Sequence, residues 1–310
     1  MTPTRPDYRS KRFDVRMTQN LPYGRGGIHH TQPDAQPRER TLCLDLYEGI
    51  GSERPGGRPA LLLAFGGAFH RGSKETDAVL EDGRQNTPVA EYCREFAKRG
   101  YVCFAIDYRL TPEDPDPGRT PLLLNPLNVN RDRIDIVRGI MGLPPSTPTM
   151  IANAMEAAFD DMAAALRWVH AHAPELGVDP ARIAAGGFSA GAIMAMAATY
   201  GEALPVAAVV SLSGAMGTAE MKKYLGHGVQ PPVILFHGEN DLASIRYQTG
   251  EMKTQMRAAG LEHHTHCIAG GTHFYPRSAA LSLADGRAST VEETLCEFLH
   301  GRLVGPGAAD

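Results

Sequence analysis

The chain has 310 residues, of which 43% are apolar and 21% charged, enough for one large α/β domain or two modest ones and too apolar for disorder. Its 31 basic and 35 acidic residues leave a net charge of −4, without the concentrated lysine and arginine that nucleic acid binding needs. No run approaches the ~20 consecutive apolar residues of a membrane span, and the first residues lack the apolar core of a signal peptide. A cytoplasmic location is therefore expected, with no nucleic acid partner and no membrane span.

Residues 1–40 hold eight basic residues against four acidic ones, and Pro3, Pro6, Pro22, Pro33 and Pro37 exclude a long helix there. This stretch reads as a basic N-terminal arm packed on a main domain of residues 41–310. Within that domain Thr41–Tyr47 alternates with the period of a half-buried strand, and Pro59–Phe65 is a continuous apolar run, the mark of a strand covered on both faces. A helix is expected from Thr87 to Arg99, with Thr87 as N-cap, Pro88 as first helical residue and Gly100 as stop. Tyr101–Asp107 is the next buried strand, which completes a parallel crossover unit.

Residues 112–149 break the rhythm with eight prolines, and fit neither a clean helix nor a clean strand. Leu122, Leu123, Leu124, Leu127, Ile134, Ile136 and Val137 argue against disorder, so the segment reads as an insertion folding over a pocket as a partial lid. Met150–Ala173 is a strong helix, its apolar residues recurring every three or four positions. The strand Arg182–Gly186, a helix from Ser189 to Tyr200, and strands Val206–Leu212 and Pro232–Phe236 follow. A helix over Ile245–Ala259, a strand over Glu262–Ile268 and a helix over Thr290–Leu303 end the chain. This alternation predicts an open, mostly parallel sheet with helices on both faces.

Gly187-Phe188-Ser189-Ala190-Gly191 is a Gly-x-Ser-x-Gly pattern between a predicted strand and a predicted helix. There the glycines permit a tight turn, the serine hydroxyl projects from the sheet, and the helix start offers free N–H groups to a developing oxyanion. Gly66-Gly67, inside Phe65-Gly66-Gly67-Ala68-Phe69-His70-Arg71-Gly72-Ser73, can likewise turn backbone N–H groups toward developing negative charge. A serine nucleophile needs an oriented base. Asp241 and His273 each follow a predicted strand, and the order serine, acid, histidine is that of hydrolases on open α/β sheets, with Glu239 as the competing acid. The five cysteines, with no Cys-x-x-Cys pair, read as apolar packing rather than a disulfide framework. His29, His30, His263, His264 and His266 lack the carboxylate or thiolate partners of a metal site, so no metal is expected.

On Gly66-Gly67-Ala68-Phe69 with Gly72-Ser73, Asp107-Tyr108-Arg109-Leu110-Thr111-Pro112-Glu113, the Gly187–Gly191 pattern, His237-Gly238 with Asp241, and His273, the chain resembles α/β-hydrolase esterases. The resemblance runs from about Asn20 to the end, outside 112–149, and is to the hormone-sensitive-lipase-like and feruloyl-esterase/carboxylesterase-like groups of small bacterial enzymes. It departs from the first group at Phe65, where that pattern has His, and at Phe188, where it has Asp. The resemblance implies an α/β-hydrolase fold, with Gly67, Ala68 and Ala190 as oxyanion donors and Asp107 and Arg109 as structural residues. A small-molecule ester is the expected substrate, no cofactor is called for, and a homodimer is an open option. Phe69, His70, Phe188, Leu123 and Phe274 are candidates for substrate contact, His70 and Arg71 for meeting a substrate carboxylate. Ester hydrolysis is the leading reading, against a peptidase or amidase, an acyltransferase, or a non-catalytic binding module on the same fold.

Overall fold

The apolar runs of the sequence form the middle of one sheet. The structure, a computed structural model, describes residues 6–31, 36, 38–75, 80–81, 83–228 and 230–305. The eight strands are β1 (Val15–Ile28), β2 (Arg38–Gly49), β3 (Arg58–Ala64), β4 (Val102–Ile106), β5 (Val178–Phe188), β6 (Ala208–Leu212), β7 (Val233–Asn240) and β8 (His263–Thr272). Their spatial order is β1-β2-β4-β3-β5-β6-β7-β8. β1 and β2 pair antiparallel, as do β2 and β4, and every later pair is parallel. All residues of β3, β4 and β6 are buried, so both faces are covered there, as a parallel sheet requires. Two short hairpins, Leu80–Glu81 with Arg84–Gln85 and Ala280–Ser282 with Ala288–Thr290, stand apart from this sheet.

The helices are α1 (Val89–Ala97), α2 (Asp132–Ile140), α3 (Pro148–Ala171), α4 (Ala190–Met196), α5 (Thr218–Tyr224), α6 (Ala243–Ala258) and α7 (Val291–Leu303). α3 starts at Thr147, whose side chain accepts the Met150 N–H, and α7 starts at a reciprocal capping box between Thr290 and Glu293. α1 begins one residue later than expected. Pro88 is its N-cap, and the Thr87 hydroxyl accepts the Arg277 N–H instead. α4 is shorter than expected, because Ala197–Gly201 winds into a π turn. An ion cluster ties α1 to α7: Arg99 donates to Glu292 at 2.5 Å, Lys98 to Glu95 at 2.5 Å, and Lys11 and Arg277 pair with both acids.

Two segments differ from the sequence expectation. Within the expected arm, Val15–Ile28 is the edge strand β1, paired with β2 along its length. Register shifts at Leu21 and Gly24 accommodate Pro22, and the outward polar side chains of an edge hide the alternation. Residues 1–5, 32–35 and 37 of that arm lie outside the described residues. The insertion contains a regular helix, α2, and two 3₁₀ turns, Thr111–Glu113 and Pro126–Asn128. Its first part hangs from α3 by main-chain amides: the buried Glu156 carboxylate accepts the Leu122 and Leu123 N–H groups at 2.7–3.0 Å. Cys93, Cys103 and Cys296 are buried as expected of apolar thiols, whereas Cys267 is exposed on the outer strand β8.

Candidate active site

Ser189 sits where β5 turns into α4, with φ 53° and ψ −113°, a strained conformation for a residue with a Cβ. The turn closes only because its flanks are glycines: a Cβ at Gly191 would lie 2.1 Å from the Ala64 carbonyl oxygen. The Ser189 hydroxyl lies 3.0 Å from His273 Nε2, and His273 Nδ1 lies 2.7 Å from Asp241 Oδ1. Asp241 and His273 are 4% and 5% exposed, so the chain of hydrogen bonds is shielded from water up to the serine. Asp241, not Glu239, holds the imidazole; Glu239 accepts the Gly270 N–H at 2.8 Å.

Four donors converge on Asp241. Besides His273, the Ser213 hydroxyl donates to Oδ2 at 2.6 Å, Gly238 N–H to Oδ2 at 3.1 Å and Leu242 N–H to Oδ1 at 2.7 Å. Burial pushes the Asp241 carboxyl up, but His273, Ser213 and Gly238 together hold it below its ordinary value. The carboxylate therefore stays ionised at neutral pH and fixes the His273 proton on Nδ1, which leaves Nε2 free to accept from the serine. Ser213 is a site residue that sequence reasoning missed. It follows β6 with φ 53°, and no spacing rule connects it to the acid.

The Gly66–Phe69 loop faces the same point. Gly67, Ala68 and Phe69 all have positive φ (107°, 56° and 60°), and all four carbonyls of residues 66–69 are occupied. Gly66 accepts from the Tyr108 hydroxyl at 3.1 Å, and Gly67 accepts from His70 and Arg71 N–H at 3.0 and 3.3 Å. Ala68 accepts from the His70 ring at 2.7 Å, and Phe69 from Thr111 N–H and hydroxyl at 2.7 and 2.8 Å. In a trans peptide the N–H points opposite to the carbonyl it follows, so the Gly67 and Ala68 N–H groups point away from these anchors. Ala68, Phe69, Ser189 and Ala190 line one cavity of about 500 Å³.

Leu122, Leu123 and Ile134 from the insertion, with Met155 and Phe159 of α3 and Ile193 of α4, supply the apolar wall of that cavity. Phe69 and Leu123 thus reach it, whereas three other candidates for substrate contact do not line it. Phe188 packs against the His273 ring, centroids 5.1 Å apart, and Phe274 lines a separate hollow of about 810 Å³. His70 is 1% exposed and lies behind the Gly66–Phe69 loop, which corrects its expected role as a substrate contact. Its Nε2 faces the Arg138 guanidinium at 3.2 Å, and since arginine only donates, Nε2 accepts and Nδ1–H donates to Ala68. Burial pushes the His70 pKa below the ordinary imidazole value; the Ala68 carbonyl opposes that shift and the Arg138 charge adds to it.

Asp107 and Arg109 stand outside the cavity. Arg109 binds the buried Asp161 of α3 and also reaches Asp116, Gly27 O and Ala157 O. The histidines of β8 pack rather than cluster: His266 stacks on Phe236 and His264 meets Phe298 edge-on. Among the described residues, no helix is long and apolar enough to cross a membrane.

Residues 147–280 match the phospholipase/carboxylesterase family. No curated protein matches the chain. Among solved structures, the propionate-bound esterase 2 of Thermogutta terrifontis aligns with a TM-score of 0.52 at 20% identity, over 96% of this chain and 95% of that one. The same esterase phosphonylated by cyclosarin aligns with a TM-score of 0.53 at 20% identity, over 96% and 95% of the two chains. Esterase B of Lactobacillus rhamnosis aligns with a TM-score of 0.51 at 16% identity, over 86% of this chain and 80% of that one. The chain therefore has the α/β-hydrolase fold, and its stretch from α3 to the hairpin after His273 is similar to the phospholipases and carboxylesterases built on it.

Proposed function

We propose that the protein is a serine hydrolase that cleaves carboxylic esters through an acyl-enzyme. Ser189 Oγ attacks the ester carbonyl as His273 Nε2 takes its proton, and Asp241 stabilises the imidazolium that forms. The oxyanion is received by the N–H groups of Gly67, Ala68 and Ala190. The tetrahedral intermediate collapses, His273 returns the proton to the leaving alcohol, and Ser189 is left acylated. A water then gives its proton to His273, attacks the acyl carbonyl, and frees the acid and the serine.

The observation that carries this reading is the Ser189–His273–Asp241 hydrogen-bond chain, at 3.0 and 2.7 Å, opening on an apolar cavity. The cavity size suits a short or medium acyl chain or an aryl ester, with the insertion as a partial lid over its apolar end. The propionate and butyrate held by the Thermogutta esterase are acids of that length. Within the fold we group the chain with the hormone-sensitive-lipase-like and feruloyl-esterase/carboxylesterase-like enzymes, on the Gly66–Phe69 and Asp107–Glu113 motifs.

The test is hydrolysis of p-nitrophenyl esters from acetate to palmitate by wild type and Ser189→Ala, with fluorophosphonate labelling of both. The expected result is labelled, active wild type, an optimum at short or medium chains, and loss of about 10⁶-fold in kcat in the variant. An unlabelled, inactive wild type, or equal activity in the variant, overturns the proposal.

A further inference from the structure

We propose that His70 is a positioning residue of the oxyanion loop and that Arg138, on the insertion helix α2, sets it in place. The inference rests on the ester-hydrolase reading above and adds a coupling between the insertion and the reaction centre. Two consecutive non-glycine residues, Ala68 and Phe69, hold left-handed backbone at φ 56° and 60°. Such strain persists only where the surroundings over-determine it. Three of the four carbonyls in the loop are pinned by residues of the loop or of the Tyr108–Thr111 segment next to it. The Ala68 carbonyl is held by a side chain, the His70 ring, which depends in turn on another part of the chain.

The ring's Nδ1–H donates to Ala68 O at 2.7 Å while its Nε2 accepts from Arg138 Nη1 at 3.2 Å. Arg138 is 4% exposed, and its Nε donates to Pro144 O at 2.5 Å, which fixes the guanidinium within the insertion. An imidazole with Nε2 facing a guanidinium keeps its proton on Nδ1, the one tautomer that can hold the Ala68 carbonyl. Ile134 lies one turn before Arg138 on α2 and lines the cavity. One face of one helix thus touches both the cavity proposed to take the acyl group and the anchor of the oxyanion loop. Ala68 N–H, two bonds from that anchored carbonyl carbon, is placed by the same dihedrals. Loosening the anchor should therefore reduce stabilisation of the oxyanion and leave ground-state binding largely intact.

The experiment compares wild type, His70→Leu, Arg138→Met, Arg138→Lys and the double variant His70→Leu/Arg138→Met on p-nitrophenyl acetate and butyrate. Active sites are counted by phosphonate titration, so a misfolded fraction does not enter kcat. We expect kcat to fall roughly tenfold to a hundredfold in His70→Leu and roughly tenfold in Arg138→Met, with KM within twofold. Arg138→Lys, which keeps a donor for Nε2, should recover most of the loss. The double variant should be no worse than His70→Leu, because the two residues act as one unit. The inference is overturned if kcat stays within twofold in either single variant, if the two losses multiply, or if the loss falls on KM alone. Should His70→Leu fail to fold, the contrast between Arg138→Met and Arg138→Lys decides the matter: equal kcat in the two overturns it. A wild type that neither labels nor hydrolyses overturns the ester-hydrolase reading itself, whereas an active wild type matched by its variants overturns this inference alone.

Discussion

Ser213→Ala removes one donor from the Asp241 carboxylate, together with a longer 3.2 Å contact to the Tyr275 hydroxyl. The backbone cost at φ 53° is shared by serine and alanine, so it cancels in the comparison. The lost contact is a 2.6 Å hydrogen bond to a charged acceptor, 0% exposed at Ser213 and 4% at Asp241. Such bonds contribute about 1.5–3 kcal/mol. For a chain of 310 residues unfolding at ~2.1 cal/mol/K per residue, this lowers Tm by about 2–5 °C. The same loss moves the Asp241 pKa upward from below the usual carboxylate value, while His273, Gly238 and Leu242 still donate to the carboxylate. Three donors remain, so kcat should fall about tenfold, against about 10⁴-fold for Asp241→Asn, which imposes the wrong tautomer on His273. Thermal unfolding and p-nitrophenyl butyrate kinetics at pH 7 measure both quantities. A Tm within 1 °C and a kcat within twofold of wild type would refute the reasoning, because the Gly238 and Leu242 N–H groups would then suffice alone.

Gly191→Ala should abolish the serine turn, since the new Cβ meets the Ala64 backbone at 2.1 Å from its oxygen and neither partner can swing aside. A drop of at least about 1–3 kcal/mol in urea unfolding, with loss of phosphonate labelling, is expected. Arg109→Met strands Asp161, whose side chain is 2% exposed, as an unpaired buried anion and should cost about 3–5 kcal/mol. Adding Asp161→Leu should recover much of that loss in the same denaturation assay. Burial pushes the Glu95 carboxyl up, but Lys11 and Lys98 hold it down to about 2. The unfolded chain, titrating near the ordinary 4.5, then binds more protons than the folded one between those values. Stability is therefore complete above that window and lost as pH falls through it, on the order of 3 kcal/mol from this residue. Thermal unfolding from pH 6 to pH 2.5 should show the decline, and Glu95→Gln should flatten it.

The inner strands are legible in the sequence because burial on both faces leaves an unbroken apolar run, as in Leu61, Leu62 and Leu63. The chemistry-bearing residues are legible for a related reason. Ser189 and Asp241 each follow such a run, His273 follows the more polar edge strand β8, and the carboxyl ends of these parallel strands converge on one edge of the sheet. What escapes is whatever depends on a partner distant in sequence. β1 is held by pairing with β2 and carries polar outward side chains, a proline and two register shifts, so its period is invisible. α2 is short, and its Arg138 is buried against His70 rather than solvated, which no charge count along the helix reveals. Ser213 and Asp241 are 28 residues apart and meet only because β6 and β7 are neighbours. His70 reads as a substrate contact from its place beside the glycines; the left-handed turn at Ala68 and Phe69 points it the other way.

The attachment of the insertion to α3 and α5 has a consequence for how the cavity lining can vary. Glu156 grips the amides of residues 122 and 123, and Glu220 the amide of residue 124, at 2.7–3.0 Å. An amide N–H is common to every amino acid except proline. The fastening is therefore indifferent to the side chains it carries, and Leu122 and Leu123 can be exchanged for smaller, larger or polar residues without unhooking the strap from the helix. The wall of the cavity is replaceable lining on a fixed frame, so a changed pocket shape lies within reach of single substitutions that leave the scaffold's own bonds untouched.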